Sequence, residues 1–125
     1  MVSVVDDDQS IRRGLHALFR SAGLRVATFA SAEEYLRLDG PASTECLILD
    51  LEMPGMDGLQ LQQRLRVDGH IFPIIMLTAH GAAAARIQAL RAGAVAFLQK
   101  PCDSEVLLAT VESARLRGGK GRSGH

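Results

Sequence analysis

Carboxylates, one threonine and one lysine stand where short apolar runs of this chain end. Val2-Ser-Val-Val5 runs into Asp6, Asp7 and Asp8; Cys46-Leu-Ile-Leu49 runs into Asp50; Pro73-Ile-Ile-Met-Leu77 runs into Thr78; and Val95-Ala-Phe-Leu98 is followed by Gln99, Lys100 and Pro101. Carboxylates gathered at one place repel one another, so such an arrangement persists when they share a cation. All-oxygen donors with room for water suit a hard octahedral ion. Mg2+ is therefore expected, with Mn2+ as a substitute, and no His/Cys cluster at zinc spacing competes. Only Lys100 and Lys120 are lysines among 14 basic residues, and one of them stands at this mouth. Such a compact cation pairs with a carboxylate or with an incoming phosphoryl oxygen, and Thr78 offers a hydroxyl to the same group.

The elements that must position these residues are legible from periodicity. Apolar runs at Val2–Val5, Leu24–Phe29, 46–49, 73–78 and 95–98 read as strands buried on both faces. Ile11, Leu15, Leu18, Phe19 and Ala22 recur at helical spacing between Asp8, a candidate N-cap, and Gly23, a left-handed stop. Ser31-Ala-Glu-Glu34 reads as a capping box for a second helix closed by Gly40-Pro41. Met53-Pro-Gly-Met-Asp-Gly58 is a turn-rich loop before a helix carrying Leu61 and Leu65 to about Asp68. Ala82–Ala85 open a fourth helix that stops at Gly93, and a last helix runs from about Asp103 with Leu107, Val111 and Ala114 on one face. Strands alternating with helices over short loops define an α/β, doubly wound parallel sheet, whose functional site lies beyond the carboxyl ends of its strands.

Composition bounds the rest. The chain has 125 residues, 14 Lys+Arg against 14 Asp+Glu, and 47% hydrophobic residues, which fits one globular domain and excludes disorder or a field that draws it onto nucleic acid or anionic lipid. Cys46 and Cys102 are too few for a disulfide framework. The start lacks a signal-peptide pattern and no apolar run is long enough to span a bilayer, so a cytoplasmic location is expected. The tail from Arg115 is basic, Gly-rich and aperiodic; a domain over 1–116 and a flexible linker over 117–125 are expected.

Val-Val-Asp6-Asp7, Leu-Ile-Leu-Asp50-Leu-Glu-Met-Pro-Gly-Met-Asp-Gly58, Met-Leu-Thr78-Ala and Phe-Leu-Gln-Lys100-Pro101 together resemble the signature stretches of response-regulator receiver domains. Ala-His80-Gly81 and the 92–97 stretch resemble the FixJ-type branch of transcriptional regulators. The resemblance covers about residues 2 to 115. It implies a flavodoxin- and CheY-like five-stranded sheet of order 2-1-3-4-5 with about five helices. It also implies Asp50 as phosphoacceptor, Asp7, Asp50 and the backbone carbonyl of Glu52 as direct Mg2+ ligands, and Asp6 acting through water. Thr78 and Lys100 would hold phosphoryl oxygens, and the Lys100–Pro101 bond would be cis.

Output in the family is a shift between two conformations in which a threonine matching Thr78 moves and an aromatic matching Phe97 turns inward, altering the surface of the fourth helix, fifth strand and fifth helix. The resemblance thus implies a regulatory domain rather than an enzyme, phosphorylated by a histidine kinase or phosphotransfer protein. Homodimerisation through that surface is implied, as is a DNA-binding output domain in a longer parent. No direct nucleic-acid or membrane binding is expected of these residues.

Each residue also has a structural reading. Asp8 is a helix cap, as Asp6 could be; Thr78 could be an ordinary β-branched strand residue, and Phe97 core. His80 either tunes attack of water on the phosphoryl group or is an exposed loop histidine. Cys102 stands where FixJ-like sequences usually carry phenylalanine and reads as a smaller packed residue. The Gly81–Ala85 stretch lacks an acidic N-cap, so the fourth helix is expected to fray at its start, and Arg86 adds charge to the expected output surface. Two rival functions remain at this level: a degenerate receiver acting only as an interaction module, and an aspartyl-intermediate phosphatase of the dehalogenase type. Asp50-Leu-Glu-Met has the second acid of the latter but the wrong continuation.

Overall fold

The computed structural model describes residues 1–79 and 83–123, with side chains as far as 117. The chain alternates strand and helix: β1 Val2–Val5, α1 Gln9–Ser21, β2 Val26–Phe29, α2 Ala32–Arg37, a short 3-10 turn Gly40–Ser43, β3 Cys46–Leu49, α3 Gly58–Val67, β4 Ile74–Thr78, α4 Ala83–Arg91, β5 Ala96–Gln99 and α5 Ser104–Ser123. The strands form one parallel sheet in the order β2-β1-β3-β4-β5. Helices cover both faces, because successive side chains of a strand point to opposite sides. Val5, Leu47, Leu49, Ile74 and Met76 pack with Tyr35, Leu61, Leu65 and Ala89 on the side of α2, α3 and α4. Val2, Val4, Cys46, Ile48, Ile75 and Leu77 pack with Phe19, Leu107, Val111 and Ala114 on the side of α1 and α5.

Element ends follow local chemistry, with three differences from the sequence reading. β2 begins at Val26 rather than Leu24, because the stop of α1 uses those residues: Gly23 adopts φ +80°, its N–H donates to Arg20, and the Leu24 N–H donates back to Phe19. At α2, Ser31 caps the Glu34 N–H at 3.0 Å, but the Glu34 carboxylate accepts from the Ala30 N–H at 2.7 Å, so the reciprocal half of the capping box is replaced. A complete capping box lies instead at α3, where Asp57 and Gln60 exchange bonds of 2.8 and 2.9 Å. The backbone of α5 continues to Ser123, past the boundary at residue 116 where composition places a linker. His80, Gly81 and Ala82, with the expected fraying at the start of α4, lie outside the described residues.

The sheet order places the site. From β1 the chain winds outward to β2, then returns to β3 on the other side of β1, so a crevice opens beyond the carboxyl ends of β1 and β3. Val5 is in register with Leu49, and the Asp50 N–H donates to the Val5 carbonyl at 3.0 Å, which sets Asp6 and Asp50 side by side.

Candidate functional site

Three carboxylates converge in this crevice. Asp6, Asp7 and Asp50 each offer an oxygen within 4.8 Å of the others; Asp6 and Asp50 are buried and Asp7 is exposed. Asp8, next in line, faces the helix: its carboxylate accepts from the Ser10 and Ile11 N–H groups, so it is the cap of α1. Asp6 is held on both carboxylate oxygens, Oδ1 by the Asp8 N–H at 2.9 Å and Oδ2 by the Lys100 ammonium at 2.7 Å. The same ammonium lies 3.7 Å from Asp50 Oδ2.

Electrostatics in the crevice disfavour a bare carboxylate at Asp50. Burial, then the neighbouring charge of Asp6, pushes its carboxyl up to about 6, against the opposing pull of Lys100 and of the Glu52 N–H bonded to it. A group of hard oxygen donors that destabilise one another fits a divalent cation, and no softer ligand is among them.

The remaining strand ends complete the rim. Thr78 closes β4 and is 1% exposed; its carbonyl accepts from the Lys100 N–H at 2.8 Å, so the lysine leaves the sheet beside the threonine. The Lys100–Pro101 peptide is cis. Phe97, in register with Met76, is half-buried against the cluster beneath α3 and α4. Cys102 packs partly buried on the opposite cluster. Glu52 is exposed in the loop that follows Asp50.

Local periodicity does not reveal the residues that hold these loops. The Glu33 carboxylate, at the start of α2, accepts from the Met56 N–H at 2.8 Å and so ties down the 53–58 loop. That bond keeps the Glu33 carboxyl below its usual range. A Cβ on Gly55, at φ +75°, would stand 2.6 Å from Glu33 Oε2, so the turn needs glycine. A Cβ on Gly58 would stand 2.4 Å from the Asp50 carbonyl oxygen, which shows how closely the start of α3 abuts the acidic crevice. On α3, fully buried Gln62 donates to the Ala89 carbonyl of α4 at 2.9 Å. The glycines belong to the turn-rich loop that the sequence marks, but Glu33 and Gln62 have no sequence signature, since each bonds a backbone group of a distant segment.

A doubly wound parallel sheet with an acidic crevice at its switch point, flanked by a buried threonine and a lysine, is a CheY-like fold. Residues 2–112 match the family model described as the response regulator receiver domain, and the chain belongs to that family. Nodulation protein W of Bradyrhizobium diazoefficiens is 46% identical over 123 residues, covering 98% of this chain and 54% of that protein. The transcriptional regulatory protein FixJ of the same organism is 38% identical over 113 residues, covering 90% of this chain and 55% of that one. A solved structure of the response regulator StyR superposes with a TM-score of 0.90 at 41% identity, covering 98% of this chain and 62% of that chain. The chain thus spans about half the length of these curated relatives. No helix among the described residues is long and apolar enough to cross a membrane.

Proposed function

We propose that this chain is a phosphorylation-controlled switch in which Asp50 accepts a phosphoryl group from a histidine kinase or phosphotransfer protein. The observation that carries the reading is the convergence of Asp6, Asp7, Asp50 and Lys100 from three separate strand ends. In this reading an Asp50 carboxylate oxygen attacks the phosphorus of a phosphohistidine; the new P–O bond forms as the P–N bond breaks and the imidazole departs with the electron pair. Asp7, Asp50 and the Glu52 carbonyl would hold Mg2+ directly and Asp6 would hold it through water. The bound ion supplies neutralising charge for the phosphoryl oxygens. Lys100 and Thr78 hold those oxygens from the protein side.

Output follows from the same residues. Thr78 and Phe97 lie on β4 and β5, so a threonine drawn to the phosphoryl group and a ring turning inward alter the surface of α4, β5 and α5, which controls dimerisation or an output domain. FixJ is named a transcriptional regulatory protein, and relatives of about twice this length support a DNA-binding output domain in a longer parent. Residues 1–116 then form the receiver and 117–125 lead toward the output domain, all in the cytoplasm.

The test is intact mass after incubation with acetyl phosphate and Mg2+, alongside Asp50→Asn and a chelator control. A single phosphoryl adduct lost in both controls supports the switch. No adduct under conditions that phosphorylate a known receiver favours an interaction-only module.

A further inference from the structure

Asp6 has four polar handles, and each is held by a different part of the chain. Its N–H donates to the Phe29 carbonyl at the end of β2 at 3.1 Å, and its two carboxylate oxygens accept from the Asp8 N–H and from Lys100. The fourth handle is its backbone carbonyl, which accepts from the half-buried Arg12 guanidinium at 2.7 Å. Arg12 belongs to α1, and its own N–H donates to the Asp8 carbonyl at 3.0 Å. One residue therefore braces the β1–α1 loop with both its backbone and its side chain.

The peptide unit joining Asp6 to Asp7 is planar, so a donor fixed on the Asp6 carbonyl sets the orientation of the whole unit and the point from which Asp7 departs. Asp7 is exposed and takes no orientation from core packing. Its carboxylate reaches the shared position beside Asp6 and Asp50 because the backbone beneath it is held. We propose that Arg12 is a positioning residue of the cation site, holding the Asp6–Asp7 peptide so that the three carboxylates keep a cation-sharing separation. The proposal rests on the Mg2+ reading above.

A purely electrostatic role gives the opposite sign. Arg12 is a cation bonded beside a cation site, so removing its charge alone tightens Mg2+ binding, whereas removing its brace weakens it. The experiment is Mg2+ titration of the nitrogen-15-labelled whole chain by NMR, comparing wild type, Arg12→Ala, Arg12→Lys and Arg13→Ala, with far-UV circular dichroism and unfolding midpoints recorded for each. Arg12→Ala is expected to weaken Mg2+ about tenfold or more, the range typical of groups that orient metal ligands. Arg12→Lys, which keeps a donor on a long stem, recovers most of the affinity. Arg13→Ala stays within about twofold of wild type, Arg13 being an exposed neighbour on the same helix. Without Mg2+, the Asp7 amide resonance shifts in Arg12→Ala and holds in Arg13→Ala.

Unchanged or tighter Mg2+ binding by folded Arg12→Ala overturns the proposal. If Arg12→Ala does not fold, Arg12→Met keeps the packing of the stem and carries the same comparison. A wild-type chain that binds no Mg2+ overturns the reading of the site, and this proposal with it; binding by wild type and Arg12→Ala alike overturns this proposal alone.

Discussion

The ammonium of Lys100 donates to the carboxylate of Asp6 at 2.7 Å across 94 residues of chain, and Asp50 lies farther from it, at 3.7 Å. The lysine serves Asp6 first. Both partners are largely buried, so removing one leaves an uncompensated charge out of water. Lys100→Met, which keeps most of the stem, is expected to cost about 2–4 kcal/mol in urea unfolding without Mg2+. Added Mg2+ then raises the unfolding midpoint of the variant by more than that of wild type, because Asp6 regains a cation. Equal Mg2+ shifts in the two proteins would contradict this pairing.

Asp50 carries an electrostatic cost in the folded chain. Its folded carboxyl titrates at about 6 against 3.8 for an unperturbed group, raised first by burial and then by Asp6. With the folded value above the unfolded one, the protonated form favours the fold. That contribution is full below about pH 4 and is lost as the pH rises through about 6. Asp50→Asn is therefore expected to be more stable than wild type at pH 7 without Mg2+, by about 1–2 kcal/mol, with the gap closing near pH 4. Thermal unfolding at both pH values checks this; a lower midpoint for the variant at pH 7 counts against it.

Gly58 starts α3 against the backbone of Asp50 and Leu51. A Cβ there would meet the Asp50 carbonyl oxygen at 2.4 Å and the Leu51 Cα at 2.9 Å, and backbone has no rotamer through which to yield. Gly58→Ala gains helix propensity yet is expected to lose about 1–3 kcal/mol overall and to accept less phosphoryl group from acetyl phosphate. Stability equal to or above wild type would show that the segment relaxes freely.

Gln62 spans the gap between two helices with half of its amide. Its Nε2 donates to the Ala89 carbonyl, while its buried Oε1 has no partner among the described residues. The Ala89 carbonyl also accepts from the Ala94 N–H at 3.0 Å, so removing the amide strands no group on α4. Gln62→Leu is expected to change global stability by less than about 1 kcal/mol while amide exchange over Ala83–Arg91 becomes faster, because α4 is untied from α3. Exchange as slow as in wild type would show that the bond does not restrain α4.

Much of the fold and several groups of the site follow from local sequence. The central strands β3 and β4 are buried throughout and read as apolar runs, and β1 and β5 are apolar-rich, so the strand ends, and with them Asp6, Asp50, Thr78 and Lys100, are legible from residue order alone. Asp8 was legible as a cap because capping is settled within one turn. The strand order 2-1-3-4-5 came from the resemblance, since apolar runs do not name their neighbours. Tertiary structure decided which carboxylate the lysine serves, how far burial and Asp6 raise Asp50, and where Arg12, Glu33 and Gln62 act. These three side chains bond backbone groups of other segments, and a backbone carbonyl or N–H is the same at every residue. Only the folded chain, by choosing which carbonyl or N–H comes within reach and how much water is left around a charge, gives them their partners.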